Sequence, residues 1–162
     1  MTKSAEHRLH DLLDGLDTAM LITHTSQGYL NARPMGVAEL SDTGEIFFVS
    51  AGSSAKVKEI KADSDVTLVF QGKQKFISMN GSAVVLKDQA LVDKLWSEAW
   101  RVWFPEGKTD PSLRILKVSP TDAEYWDNAG VKGISYVFEA AKAYISGKTP
   151  DVSEKQHGKI DI

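Results

Sequence analysis

Two short stretches hold most of the chemistry that this 162-residue sequence can offer. In FFVSAGSSAKVKEI a strand-like run ends in small polar residues and leads into a helix with Lys56 in its first turn. Free N–H groups at a helix start, the hydroxyls of Ser50, Ser53 and Ser54, and the Lys56 ammonium could together cradle an anion. The second stretch, YLNARPMGVAEL, alternates like a strand yet contains Arg33, Pro34 and Gly36. Proline cannot donate to a ladder, and glycine inside a strand often marks the close approach of a ligand or another backbone. A planar guanidinium suits two-point contact with phosphate. If the strands holding the two stretches pair, Arg33 comes near the serine-rich loop. A plainer alternative stays open: serines that only cap a helix, with Lys56, Lys58 and Lys61 on its wet face.

Other chemistries find little support. The absence of cysteine excludes disulfides, thiolate metal sites and thiol nucleophiles. His7, His10, His24 and His157 are too scattered for a local metal motif. There is no GxSxG elbow, no GxGxxG and no GxxxxGK[ST] phosphate loop. Acid pairs such as Asp63 with Asp65, or Asp122 with Glu124, read as solvated faces. A net charge of −3 gives no general pull toward nucleic acid. No apolar run approaches the ~18 residues of a membrane span, and the first residues lack a signal-peptide pattern. The expectation is a cytoplasmic protein with neither nucleic acid nor membrane as partner.

The elements that must position these residues follow from periodicity. Leu9, Leu12, Leu13 and Leu16 stand at helical spacing, which predicts a short helix over 4–16. Strands are predicted over 19–25, 29–40 and 45–50, separated by tight turns at Gly28 and Gly44, hence an antiparallel meander. A helix capped by Ser53 or Ser54 follows, ending near Ala62. Strands come next over 66–71 and 75–87, the second with a bend or bulge at Gly81. A helix capped by Asp88 is expected over 88–100. Trp96, Trp100 and Trp103 recur at i, i+4 and i+7, a stripe that reads as core or subunit interface. Two last strands, 113–120 and 122–127, precede a helical stripe from Ile134 to Ile145 closed by Gly147. This gives one domain over 1–147 and a polar, mobile tail over 148–162. The fold class expected is mainly β (α+β): an antiparallel β-barrel with helices packed outside.

The order and spacing of these pieces resemble the general-stress-protein branch of the pyridoxamine 5'-phosphate oxidase-like, FMN-binding split barrels. The likeness rests on RPM (33–35), FFVSAGSSAKVKEI with DVTLVF, KFISMNGSA, and LWSEAWRVWFPEGKTDPSLRILKVSPTDAEYWD, over about residues 5–145. It implies a split barrel, a homodimer, and FMN (or FAD) in a groove at the dimer interface. It further implies that Arg33 contacts the phosphate and that Pro34 and Met35 lie along the ring. Val49 and Ser50 would touch ring and phosphate, Ser54 and Lys56 would form the phosphate clamp, and Trp126 would stand near the flavin edge. The sequence departs from the oxidases in lacking their C-terminal Arg-x-His segment and in offering Lys75 and Phe76 where they use a glutamine. The resemblance therefore implies a flavin-binding stress-type protein rather than a vitamin B6 oxidase. Three readings remain: a flavin-dependent oxidoreductase of unassigned substrate and catalytic residues, a non-catalytic flavin-binding or sensing module, or a relative that has lost flavin and binds haem, deazaflavin or another flat anion.

Overall fold

Alternation of apolar and polar residues builds the strands. In β1 (Thr18–His24) Ala19, Leu21 and Thr23 are buried, and in β4 (Asp65–Gln71) Val66, Leu68 and Phe70 are. A computed structural model describes residues 4–127 and 157–162. The strands are antiparallel and lie in the order β3 (Ile46–Ala51), β2 (Leu30–Leu40), β1, β4, β5 (Lys75–Leu86), β6 (Leu113–Asp127), β7 (His157–Asp161). Strand β3 also pairs with β6, so six strands close into a barrel and β7 lies outside the ring. Its interior is filled by Leu21, Phe48, Leu68, Phe70, Ile77 and Leu116, all fully buried.

Helices pack on this barrel. Helix α1 (Ala5–Leu13) starts at Ser4, whose hydroxyl accepts from the His7 N–H, and buries Leu9 in the barrel core. Helix α2 (Ala55–Ala62) buries Val57 and Ile60 in the same core. A second, smaller cluster lies on the other face of β3 and β6. There Phe47 and Ile115 meet Val92 and Leu95 of α3 (Gln89–Leu95) and Phe104. Among the described residues no helix is long and apolar enough to cross a membrane.

Over the described residues the expected elements are present, with three differences. Asp88 caps α3 as expected, accepting from the Leu91 N–H at 3.0 Å, but the helix ends at Leu95 rather than near residue 100. Trp96 takes an extended ψ of 132°, and a separate 3-10 turn spans Glu98–Val102. The two strands expected over 113–120 and 122–127 are one, β6. Pro120 does not break it because it sits opposite Gly81, where the β5–β6 register shifts. Finally, residues 157–161 are not a mobile tail: they form β7, paired with residues 122–126 of β6. Strand β3 occupies the same edge of β6 only through residue 118, which leaves the rest of that edge for β7. The helix expected between Ile134 and Gly147 lies outside the described residues.

Gly81 is where this arrangement is tightest. A Cβ there would stand 2.4 Å from the Ser119 carbonyl oxygen and 2.9 Å from Pro120 Cα, both backbone atoms. We expect Gly81→Ala to cost about 1–3 kcal/mol, read as a lower urea midpoint. Gly36→Ala, where nothing lies within 4 Å, should leave the midpoint nearly unchanged. Equal midpoints for both variants would contradict the β5–β6 register.

Candidate functional site

The barrel opens where β2 and β3 part. Their pairing runs from Leu40 with Ile46 through Glu39 with Phe47 to Val37 with Phe48, with a bulge between Val37 and Glu39, and ends there. Beyond that point residues 33–36 pair with β1 alone and residues 49–51 with β6 alone. The Val37 N–H donates to the Asp17 carbonyl at 2.8 Å. Antiparallel alternation then turns the backbone groups of Pro34 and Gly36 away from β1, toward the opening. Proline leaves no donor unpaired on that edge.

The opening is a cleft of about 530 Å³. Pro34, Met35 and Gly36 line one side, and Val49, Ser50 and Ala51 the other. Ser54 and Lys56 enter from the start of α2, and Trp100, Trp103 and Phe104 from the 3-10 segment. Its polar part is compact. The buried Ser50 hydroxyl lies 3.0 Å from the Ser54 hydroxyl and accepts from Lys56 Nζ at 3.3 Å. Ser54 holds the N-cap position of α2, yet its side chain makes no capping bond because it turns to Ser50. The first N–H groups of the helix therefore receive no acceptor from the cap side chain.

Lys56 is the only titratable side chain among the described residues lining this cleft. No carboxylate of the described residues stands within 4 Å of it. Burial first, and the nearby Arg33 guanidinium second, pull its ammonium below the ordinary 10.5, with Glu59 acting in the opposite sense. An ammonium that is partly desolvated and, among the described residues, paired with a hydroxyl alone gains most from an incoming anion.

Arg33 is held differently. Its Nη2 donates to Glu59 Oε2 at 2.9 Å, and its Nη1 donates to the Thr23 hydroxyl and, at 3.4 Å, to the Leu21 carbonyl. Glu59 also accepts from Thr23 at 2.6 Å and from Asn31 at 2.7 Å. The Thr23 hydrogen bond is the largest influence holding the Glu59 carboxyl below its ordinary value; burial opposes it, and Asn31 and Arg33 add to the lowering. This contribution is present at neutral pH and is lost as pH falls through the lowered value. These bonds tie α2 to β1 and β2, because Glu59 lies on α2, Thr23 on β1, and Asn31 and Arg33 on β2.

Of the residues singled out in the sequence, Pro34, Met35, Val49, Ser50, Ser54 and Lys56 come together on this one cleft. Arg33 lies on the same strand, but its guanidinium is committed to Glu59. Trp126 is not on the cleft: it stacks on His157, with ring centroids 5.1 Å apart and planes 13° from parallel. Ser53 is exposed and does not line the cleft. Three participants had a weaker signal in the sequence. Trp100 and Trp103 show only as a helical stripe, and Glu59 only as a charge on a short helix.

Comparison with known proteins agrees with this architecture. A family model described as pyridoxamine 5'-phosphate oxidase like matches residues 4–151. A crystal structure of a general stress FMN/FAD binding protein from Xanthomonas citri has a TM-score of 0.67 at 30% identity, over 80% of this chain and 92% of that one. A structure assigned to general stress protein 26, from Jannaschia sp. CCS1, has a TM-score of 0.73 at 25% identity, over 96% of this chain and 97% of that one. Protein bli-3 of Neurospora crassa is 26% identical over 149 residues, 84% of this chain and 70% of its own length. A six-stranded barrel that parts between β2 and β3, matched along nearly its whole length, makes this chain a member of the pyridoxamine 5'-phosphate oxidase-like family.

Proposed function

We propose that the protein binds a flavin mononucleotide in the β2–β3 cleft, as a flavin-binding protein of the general stress type. The observation that carries this reading is Lys56: a partly buried ammonium whose one hydrogen-bond partner among the described residues is a hydroxyl, beside an uncapped helix start. The donor set fits a phosphate. Ser50, Ser54 and Lys56 supply side-chain donors, the first N–H groups of α2 supply backbone ones, and Arg33 adds positive potential from behind its ion pair. The rest of the cleft is apolar, and its size falls in the usual range for small-molecule sites, as a planar ring requires. The Xanthomonas citri relative, described as binding FMN or FAD, supports the same ligand class.

When bound, the flavin would supply hydride or single-electron chemistry; the chain would hold the phosphate, orient the ring and exclude water. Lys56 is engaged with the phosphate in this reading, so acid–base work at the ring falls to the flavin or to its substrate. An oxidoreductase of this kind is bleached by NAD(P)H without oxygen and recovers in air, whereas a binding or sensing module stays oxidised. A homodimer belongs to this reading, supported by the exposed apolar side chains of Tyr29 and Leu30. Sedimentation should give twice the 17.8 kDa of one chain at micromolar concentration; a flavin-loaded monomer would contradict it.

A charge-assisted hydrogen bond contributes roughly 1.5–3 kcal/mol. Lys56→Ala should therefore weaken FMN about 10–100-fold while riboflavin, which lacks the phosphate, changes far less. Calorimetric titration of both ligands reads the difference. Equal losses for both would place the phosphate elsewhere.

The pH dependence separates two effects of opposite sign. The folded value of Lys56 lies below 10.5, so the unfolded chain holds more protons between the two values. In that window stability of the flavin-free protein rises with pH, while FMN affinity falls as the ammonium is lost. Urea midpoints and titrations across this range should diverge in wild type, and both trends should flatten in Lys56→Met.

A further inference from the structure

Trp103 is 70% exposed and Val102 beside it 79%, yet the segment that holds them is tied together by its own side chains and anchored by Phe104. Glu98 accepts from Trp96 Nε1 at 2.8 Å and from Arg101 Nε at 2.8 Å. The Arg101 guanidinium also lies over the Trp96 ring, 5.9 Å from its centre. Trp100 meets Trp96 edge to face at 5.8 Å, the Trp103 N–H donates to the Trp100 carbonyl at 2.9 Å, and Phe104 is buried in the cluster under α3. Gly107, at φ +70°, turns the chain back against Arg101.

The break after Leu95 is what aims this segment. Continued as an α-helix, residues 96, 100 and 103 would stack along one face. The chain extends at Trp96 and restarts as a 3-10 turn; Trp96 and Trp100 pack against the outer cluster, and Trp100 and Trp103 line the cleft. Across that cleft stands the irregular edge of β2, Pro34 to Gly36, which has no side chain at Gly36 to fill the space. An exposed indole in the same cleft as an unpaired backbone edge is suited to a planar ring.

We propose that Trp103 is the stacking wall for the ring of the bound ligand and sets selectivity for a flat, electron-poor heteroaromatic such as the isoalloxazine. This rests on the flavin reading above but uses residues separate from the phosphate cradle. An indole against the ring both adds affinity and quenches flavin emission by donating an electron to the excited ring. A phenyl ring stacks but does not donate in this way.

The test titrates FMN and riboflavin into wild type, Trp103→Leu and Trp103→Phe, following heat and flavin fluorescence. Trp103→Leu should weaken both ligands alike, by about tenfold, the size of one aromatic stack. Its FMN-to-riboflavin affinity ratio should match wild type, and the bound flavin should fluoresce more brightly. Trp103→Phe should recover most of the affinity without the quenching. The exposed side chain leaves the fold intact, checked by unchanged melting of the ligand-free variants. Wild-type affinity and emission in Trp103→Leu would overturn the stacking role while leaving the cradle standing. Failure of wild type to bind either flavin would overturn the ligand assignment and this proposal with it.

Discussion

The parting of β2 from β3 beyond Val37 and Phe48 is the constraint on which the rest of the structure depends. A fully closed barrel has no free edge and no room for a ligand among its backbone groups. Here each strand stays paired on its far side, β2 with β1 and β3 with β6, so the opening does not cost the sheet its integrity. Pro34 and Gly36 suit the free edge of β2: one lacks a donor that would need a partner, the other lacks a side chain that would fill the cleft. The same parting sends β3 into the loop that begins α2, which is how Ser50, Ser54 and Lys56 meet within hydrogen-bond distance.

Charge is distributed around that opening in two parts with different tasks. Arg33 and Glu59 form a pair whose side chains are 20% and 12% exposed, tied further to Thr23 and Asn31. Such a pair is costly to break because the survivor is left uncompensated. Arg33 and Thr23 donate to Glu59 Oε2 and Asn31 to Oε1, so both carboxylate oxygens are engaged away from Lys56, three residues earlier on the same helix. Among the described residues lining the cleft, Lys56 is the one cation, and no described carboxylate pairs with it directly. An anion that enters the cleft relieves the cost of having partly desolvated it.

Most strands could be read from the sequence because their periodicity is a backbone property. Ala19–Thr23 and Val66–Phe70 alternate inward and outward whatever they pack against. Gly81 was legible as a bend or bulge from its residue type inside a strand, although its match to Pro120, which keeps β6 whole, required knowing the register. The cleft residues of β2, β3 and α2 were nominated through a family resemblance as well as through residue type. What did not show were contacts between distant positions. Glu59 lies 26 residues from Arg33, and nothing local marks it as the partner that keeps the guanidinium out of the cradle. Trp96, Trp100 and Trp103 fit helical spacing, yet the chain extends at Trp96, whose indole N–H donates to Glu98 two residues on, and restarts as a 3-10 turn. Strand β7 was missed because its few residues pair only with an edge of β6 that β3 leaves free.

The central claim is that the phosphate of a flavin sits where Ser50, Ser54 and Lys56 converge, at the mouth opened by β2 and β3. A crystal structure of the protein saturated with FMN tests it most directly. The account predicts phosphate oxygens within hydrogen-bond distance of the Ser50 and Ser54 hydroxyls and Lys56 Nζ, with Arg33 still paired to Glu59. A flavin bound away from Lys56, or a phosphate held by Arg33 released from Glu59, would contradict it.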